Sequence, residues 1–175
     1  RANIKREMLQ FTVGPDIPAS TFNADKTRHQ GVEVAFSAAP TDWLRFRQIW
    51  QYSDFRFVAD VQYGNNRLPV VPKHVLRSEL RFGSDDLHIA PNVEWVPQGA
   101  WADYRNTTRT TGYTLFGLSA GARVMAGVDL FLDARNLTAE RAFGDVSAAI
   151  VASAASAIYY PVERRAIYGG VRARF

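Results

Sequence analysis

Apolar and polar side chains alternate along most of this chain, and a period of two predicts β-strands. The pattern predicts eight strands, and no helical period extends over a comparable window. Their bounds are Ile4 to Val13, Arg28 to Ala38, Asp42 to Phe55, Lys73 to Phe82, Leu87 to Pro97, Gly112 to Val124, Val128 to Leu137 and Ala166 to Phe175. The sequence therefore predicts an all-β fold.

Short and long connections alternate between these strands. The short ones are rich in turn-forming residues: Ala39 to Thr41, Gly83 to Asp86 and Met125 to Gly127. The long ones are Gly14 to Thr27, Arg56 to Pro72, Gln98 to Thr111 and Thr138 to Arg165. In an antiparallel up-and-down sheet, all the long connections lie at one end. This arrangement is typical of outer-membrane β-barrels, which have short periplasmic turns and longer extracellular loops.

Each well-patterned strand has one apolar and one polar face. In the last strand the apolar face is formed by Phe175, Ala173, Val171, Gly169 and Ile167. A charged side chain on the lipid face of a barrel costs roughly 2–4 kcal/mol at the membrane midplane, so charges are expected on the other face. Gln48 interrupts the apolar face of its strand, and Ile4 to Val13 alternates poorly.

Composition excludes several classes of protein. Hydrophobic residues make up 47% and charged residues 22% of the chain, which argues against disorder. No segment has the roughly 18 consecutive apolar residues of a transmembrane helix. The absence of cysteine excludes disulfide scaffolds and zinc–thiolate sites. The net charge is +4, but the basic residues are scattered singly, so no nucleic-acid partner is predicted.

Several short motifs resemble those of the TonB-dependent receptors of Gram-negative outer membranes. They are Asn23 to Glu33 with its Gly-x-Glu, Pro40 to Leu44, Asp133 to Leu137 with its Asn-Leu ending, and Tyr160-Pro161 followed by Arg164, Arg165 and the terminal strand. Each motif is common alone, but their order and spacing agree with the alternation of the connections. The resemblance covers nearly the whole chain.

The resemblance implies that residues 1–175 are about the last eight strands of a larger antiparallel transmembrane β-barrel. The plug domain, the TonB box and the earlier strands would lie outside this chain. The implied function is active uptake of a scarce nutrient, most simply a ferric siderophore or another iron chelate, across the cell outer membrane. The implied partners are the TonB-ExbB-ExbD system, acting through the N-terminal part, the barrel-assembly machinery and outer-membrane lipid.

Ligand-binding residues are expected in the long connections, because loops at the extracellular mouth carry function in this architecture. The candidates are Tyr104, Arg105, Arg109, Tyr159, Tyr160, Arg164 and Arg165. Aromatic faces and guanidinium groups suit anionic or aromatic chelates. The apolar face that ends at Phe175 is expected to act as the assembly signal in this family.

No catalytic, cofactor or metal site is predicted, because His29, His74 and His88 lie on separate strands or strand ends and no serine has a nucleophile-elbow setting. The chain is therefore not expected to be an enzyme. One alternative stays open: eight strands also suffice for a small self-contained barrel with a structural or adhesive role. Otherwise, the first and last strands should form unpaired edges.

Overall fold

The computed structural model describes residues 1–153 and 156–174, in which the secondary structure consists of β-strands. The strands are β1 Ala2–Phe11, β2 Ser20–Thr41, β3 Leu44–Phe57, β4 His74–Gly83, β5 Leu87–Val96, β6 Tyr113–Met125, β7 Val128–Arg135, β8 Phe143–Ser147, β9 Ile158–Pro161 and β10 Ala166–Ala173. Within the described residues, no helix has the length and apolar character needed to cross a membrane.

Eight of the strands form one antiparallel sheet in the order β1-β2-β3-β4-β5-β6-β7-β10. Each strand of this sheet lies beside its neighbour in sequence, apart from the β8–β9 hairpin inserted between β7 and β10. The predicted up-and-down topology is confirmed. Strands β1 and β10 form the two edges and do not pair with each other in the described residues, so the sheet is open, as expected for part of a larger barrel.

Some predicted boundaries were wrong. Strand β2 begins at Ser20 instead of Arg28 and continues through Thr41, so the first short turn is Asp42–Trp43 and not Ala39 to Thr41. The predicted loop 138–165 contains the two-stranded sheet β8–β9. The long β2 was missed because residues 20–27 contain Asn, Asp and Lys, which are depleted in strands; their backbone pairing with β1 overrides that preference.

The register of the sheet brings the predicted apolar faces together on one side. Val34, Trp50, Leu76 and Trp95 are successive partners across β2, β3, β4 and β5. A second row contains Leu44, Phe82, Ile89, Ala120, Leu132 and Gly169. The large side chains of this face remain exposed; Val34 and Ile89 are each 46% accessible. An exposed apolar surface of this extent indicates a contact surface and not an ordinary aqueous surface.

Gln48 lies on this apolar face, where it faces Ser78 of β4. The Ser78 hydroxyl donates to the Gln48 amide oxygen, and the amide nitrogen donates to the backbone oxygens of Ile49 (2.9 Å) and Arg77 (3.1 Å). These bonds reduce the cost of placing a polar group on an apolar surface. The interruption that the sequence shows is therefore a hydrogen-bonded pair.

The residues proposed as the assembly signal lie on β10. Ile167, Gly169, Val171 and Ala173 face Ala134, Leu132, Leu130 and Val128 of β7 and continue the apolar side of the sheet. Ile167 and Val171 are each 65% exposed. Phe175 lies outside the described residues.

The buried core lies at the end of the sheet that carries the long connections. Its members are Ala24, Phe57, Tyr63, Leu68, Tyr104 and Ala148, with Leu9, Phe11, Phe22, Phe55, Val70 and Ile150 packed around them. These residues come from β1, β2, β3 and three of the long connections. Hydrophobic burial therefore orders the loop end of the sheet, whereas the strands below it display apolar side chains outward.

Candidate ligand-binding site

A cavity of about 730 Å³ lies at the loop end of the sheet. Its walls come from the end of β1, from Phe55 and His29, from residues 68–71, from Tyr104 and from the β8–β9 hairpin. Small-molecule sites in proteins commonly have volumes of about 300–1,000 Å³. The size and the mixed lining suit a small organic ligand or chelate.

An aromatic cluster supports the cavity. The rings of Phe22 and Tyr104 meet edge to face with centroids 5.0 Å apart, and Phe57 stacks on Tyr63 at 4.8 Å. Tyr63 and Tyr104 are 5.8 Å apart. Phe57 is 0% exposed, so the centre of the cluster is dry. Such pairs add directional packing to the burial of apolar area and hold the wall of the cavity rigid.

Tyr104 joins this cluster to the first strand. Its hydroxyl donates to the backbone oxygen of Gln10 at 2.8 Å. Burial, together with Tyr63 and the Glu7 carboxylate, raises the pKa of Tyr104 above its ordinary value. The hydroxyl is thus neutral and already occupied at physiological pH, so Tyr104 contributes its ring to the site and not a phenolate ligand.

Glu7 and His29 contribute polar side chains to the wall, and buried Thr27 is hydrogen-bonded to Glu7. The Thr27 hydroxyl donates to the Glu7 carboxylate, and His29 Nε2 lies 3.1 Å from the same oxygen. The His29 ring stacks on Phe55 with centroids 4.4 Å apart. Glu7 and His29 both line the cavity and present a carboxylate beside an imidazole. This pair can accept and donate hydrogen bonds to a ligand.

Sequence reasoning missed Glu7 and assigned His29 only as a polar strand residue. The reason lies in β1, where Arg6 has a φ of 54°. Buried Ala24 and Thr27 lie three positions apart on β2 opposite this point, so strict alternation does not hold there. The poor period of the first strand was the visible sign of this irregularity. Within the described residues, no three His, Asp or Glu side chains form a group that could hold a metal ion.

The cavity brings together two of the seven predicted ligand residues, Tyr104 and Tyr160. Tyr160 is 50% exposed, and its hydroxyl lies 3.0 Å from the hydroxyl of Ser147. Tyr159 packs on Phe143 within the hairpin, with ring centroids 4.7 Å apart.

The four predicted arginines lie elsewhere on the loops. The Arg105 guanidinium stands 5.6 Å from the Tyr63 ring centroid, and that of Arg109 stands 4.4 Å from the Trp101 ring centroid. Arg164 and Arg165 are exposed between β9 and β10. Aromatic partners therefore fix Arg105 and Arg109.

The long connections form one unit, which we call the loop cap: residues 12–19, 58–73, 97–112, 136–153 and 156–165. Ala149 is its centre, because its N–H donates to Ala102 (3.0 Å) and its oxygen accepts from Tyr104 (3.0 Å). Ala148 accepts from Thr12 at 2.7 Å, which adds the first connection. Asn106 ties in another by bonding to the backbone of Arg67 in both directions. The cap holds the cavity walls in a fixed arrangement.

Comparison with known proteins agrees with this architecture. A family model described as "TonB dependent receptor-like, beta-barrel" matches residues 3–137. Among solved structures, the siderophore receptor PiuA of Acinetobacter baumannii is 20% identical (TM-score 0.70), with 94% of this chain and 24% of PiuA covered. The ferric yersiniabactin uptake receptor FyuA of Yersinia pestis is 21% identical (TM-score 0.74), with 89% and 25% covered. The copper transporter OprC is 18% identical (TM-score 0.76), with 99% and 28% covered. The chain thus spans about a quarter of the length of these proteins.

Proposed function

Because this chain belongs to the TonB-dependent receptor β-barrel family, we propose that it forms the C-terminal part of an outer-membrane receptor that imports a ferric siderophore or a similar iron chelate. The plug domain, the TonB box and the earlier strands would lie in the preceding part of the protein. Energy would reach the receptor from TonB-ExbB-ExbD through that part. The transport class fits a non-enzymatic role.

The proposed orientation places the loop cap outside the cell and the short turns in the periplasm. The support for it is the asymmetry of the connections, since 58–73, 97–112, 136–153 and 156–165 lie at one end and the turns at 42–43 and 126–127 lie at the other. Outer-membrane barrels have this asymmetry. The apolar face of the sheet would then contact lipid, and the polar face would line the barrel interior.

The cavity beneath the loop cap is the observation that supports ligand binding most directly. It combines an aromatic wall at Phe55 and Tyr104 with the polar groups of Glu7, His29 and Tyr160. Ferric chelates present flat aromatic or amide surfaces together with hydrogen-bonding oxygen atoms, and such a wall complements both. We assign Tyr104 and Tyr160 to the cavity wall, and Tyr159, Arg105, Arg109, Arg164 and Arg165 to the surrounding loop surface that a ligand meets first.

Binding of ferric chelates to the purified full-length receptor tests the proposal. Quenching of intrinsic fluorescence would be titrated with ferric catecholate, ferric hydroxamate and cupric probes. We expect saturable binding of at least one ferric chelate. His29→Ala and Tyr160→Ala should each weaken it by about tenfold, the effect of losing roughly 1.4 kcal/mol of contact.

Val61→Ser is the matched control, because Val61 lies on the loop cap, is 96% exposed and does not line the cavity. It should bind like the parent receptor. Uptake of labelled chelate by cells should also stop when TonB is deleted. Absence of saturable binding to every ferric probe, or uptake that continues without TonB, would contradict the proposed function.

A further inference from the structure

The outer face of β2 and β3 changes from apolar to charged over a few residues. Its successive cross-strand pairs are Val34 with Trp50, Val32 with Tyr52, Gln30 with Asp54, and Arg28 with Arg56. Same-face pairs along a strand are about 6.6 Å apart. The arginine pair therefore lies about 13 Å from the Tyr52 pair along the strand, on the side of the loop cap. An apolar belt, an aromatic belt and a charged belt follow one another, which is the order found at a membrane–water interface.

The charged belt has more cations than its single acid can neutralise. Asp54 is buried and accepts hydrogen bonds from Arg56 and from Arg67 (3.1 Å). Arg28 lies farther from the same carboxylate, at 3.9 Å. Three guanidinium groups thus surround one carboxylate, which leaves a local excess of two positive charges.

Unused hydrogen-bond donors occur at the same place. Arg28 Nε is buried and has no hydrogen-bond partner among the residues that the structure describes. The same is true of Arg109 Nε. Burial lowers the pKa of Arg67; Asp54 opposes this shift, while Arg56 and Arg109 add to it, so the Arg109 charge also acts on this cluster. Buried donors without partners are costly, and an anionic oxygen atom would satisfy them.

Basic and aromatic side chains continue this surface towards β4. Lys73 Nζ lies 5.9 Å from the centroid of the Tyr52 ring. Trp50 Nε1 donates to His74 Nδ1 at 3.3 Å, and their rings stack. Lysine beside interfacial aromatic rings keeps its ammonium group at the level of lipid head groups. We call Arg28, Arg56, Arg67 and Lys73 the basic rim.

We propose that the basic rim binds the phosphate groups of a lipid in the surrounding outer leaflet, whose acyl chains lie along Val32, Val34 and Trp50. Charge complementarity favours an anionic head group, and the adjoining apolar belt favours a molecule that also has acyl chains. The proposal rests on the orientation given under the proposed function. It adds a binding surface on the outside of the barrel, separate from the cavity under the loop cap.

Native mass spectrometry of the full-length receptor in detergent tests this proposal with bisphosphorylated lipid A as the probe. Arg28→Gln/Lys73→Gln removes two rim charges and leaves the Asp54–Arg67 contact that holds the loop cap. Loss of two basic groups beside an anionic head group should raise the lipid concentration at half occupancy by roughly 10- to 30-fold. Arg28→Lys should restore part of the affinity, because it keeps the charge.

Arg141→Gln/Arg172→Gln is the matched control, since it removes two exposed charges near the far edge of the sheet from β2 and β3. It should retain lipid like the parent receptor. The proposal is overturned if the rim variant also retains lipid like the parent, if the control loses it equally, if phosphatidylcholine binds as well, or if inorganic phosphate displaces the lipid completely. Heat-modifiable migration confirms folding, and Lys73→Gln alone replaces the double variant if that variant does not fold.

Chelate binding measured on the same samples separates this proposal from the proposed function. The rim variant should bind ferric chelates like the parent receptor, because its substitutions lie on the outer face. Loss of lipid with intact chelate binding supports the rim alone. Lipid retention that depends on the rim, in a receptor that binds no chelate, supports the rim and counts only against the proposed function.

Discussion

Replacing Phe57 by alanine should open the loop cap without dismantling the sheet. Phe57 is fully buried between the end of β3 and the cap, with its ring centroid 4.8 Å from that of Tyr63 and 5.9 Å from that of Tyr104. Removing the ring loses burial worth roughly 1.5–3 kcal/mol. It also loses two aromatic pairs worth about 0.5–1.5 kcal/mol each. These terms sum to about 2.5–6 kcal/mol, which brackets the roughly 3–5 kcal/mol observed for Phe→Ala substitutions in protein cores.

Hydrogen exchange of the receptor in detergent measures this change directly. Three amides within the cap are informative: Val70 N–H donates to Trp101, Tyr104 N–H to Ala149, and Ala149 N–H to Ala102. A loss of 3–5 kcal/mol in local opening free energy accelerates their exchange by roughly two to three and a half orders of magnitude. Amides paired across β5 and β6 should exchange as slowly as before, because they lie outside the cap.

Phe116→Ala is the control for this experiment. Phe116 is 47% exposed on the apolar face of β6, so its removal leaves the cap packing unchanged. Cap amides in this variant should exchange at the parent rate. If Phe57→Ala leaves the cap amides as slow as Phe116→Ala does, the aromatic cluster does not hold the cap together and the cooperative unit inferred from the backbone bonds is wrong.

Three further predictions address single groups. Burial raises the pKa of Tyr104, so the folded cap holds that proton more tightly than the open chain does; cap stability is complete below pH about 10 and should fall as pH rises above it. Proteolysis at high pH should show this loss of cap stability. Tyr104→Phe should make the loss smaller, while costing about 1 kcal/mol at neutral pH through the lost bond to Gln10. Asn136 is buried at a φ of 46°, and its side chain bonds once to the backbone of Glu163 and twice to that of Glu140. Asn136→Ala should therefore cost about 2–3 kcal/mol and speed hydrogen exchange at the Glu140 amide. Asn23→Ala, at an exposed position, should leave that exchange rate unchanged. Phe175→Asp should reduce the heat-modifiable receptor in outer-membrane fractions far more than Arg174→Gln, and equal insertion of both would show that the terminal aromatic is an ordinary strand residue.

The Asn-Leu motif shows how a sequence resemblance acquires a physical reason. Asn136 follows β7 directly, and its side-chain amide joins the backbone of 140 to that of 163, on the two sides of the β8–β9 hairpin. A left-handed backbone favours Asn over most other residues at this position. The motif therefore closes the base of the last long connection.

The first strand shows where prediction from sequence failed. Regular alternation assigns a face to a residue only while the strand remains regular, and the positive φ of Arg6 interrupts it. Glu7 was consequently absent from the predicted site, although it bonds to Thr27 and His29 in the cavity wall. The predicted long connections likewise gave no indication that Ala148 and Ala149 form their centre, because alanine has no side-chain chemistry that marks such a role.

The sequence by itself determined the strand count of the main sheet, its up-and-down order, its apolar side and the end that carries the long connections. These properties are local, because an apolar environment on one face and a polar one on the other impose a period of two on each strand separately. Only the tertiary structure decided that Glu7 meets His29, that Arg28 and Arg67 share Asp54, and that the connections join at Ala149. Those contacts depend on strand register and on backbone hydrogen bonds between distant segments, which residue identity does not encode one position at a time.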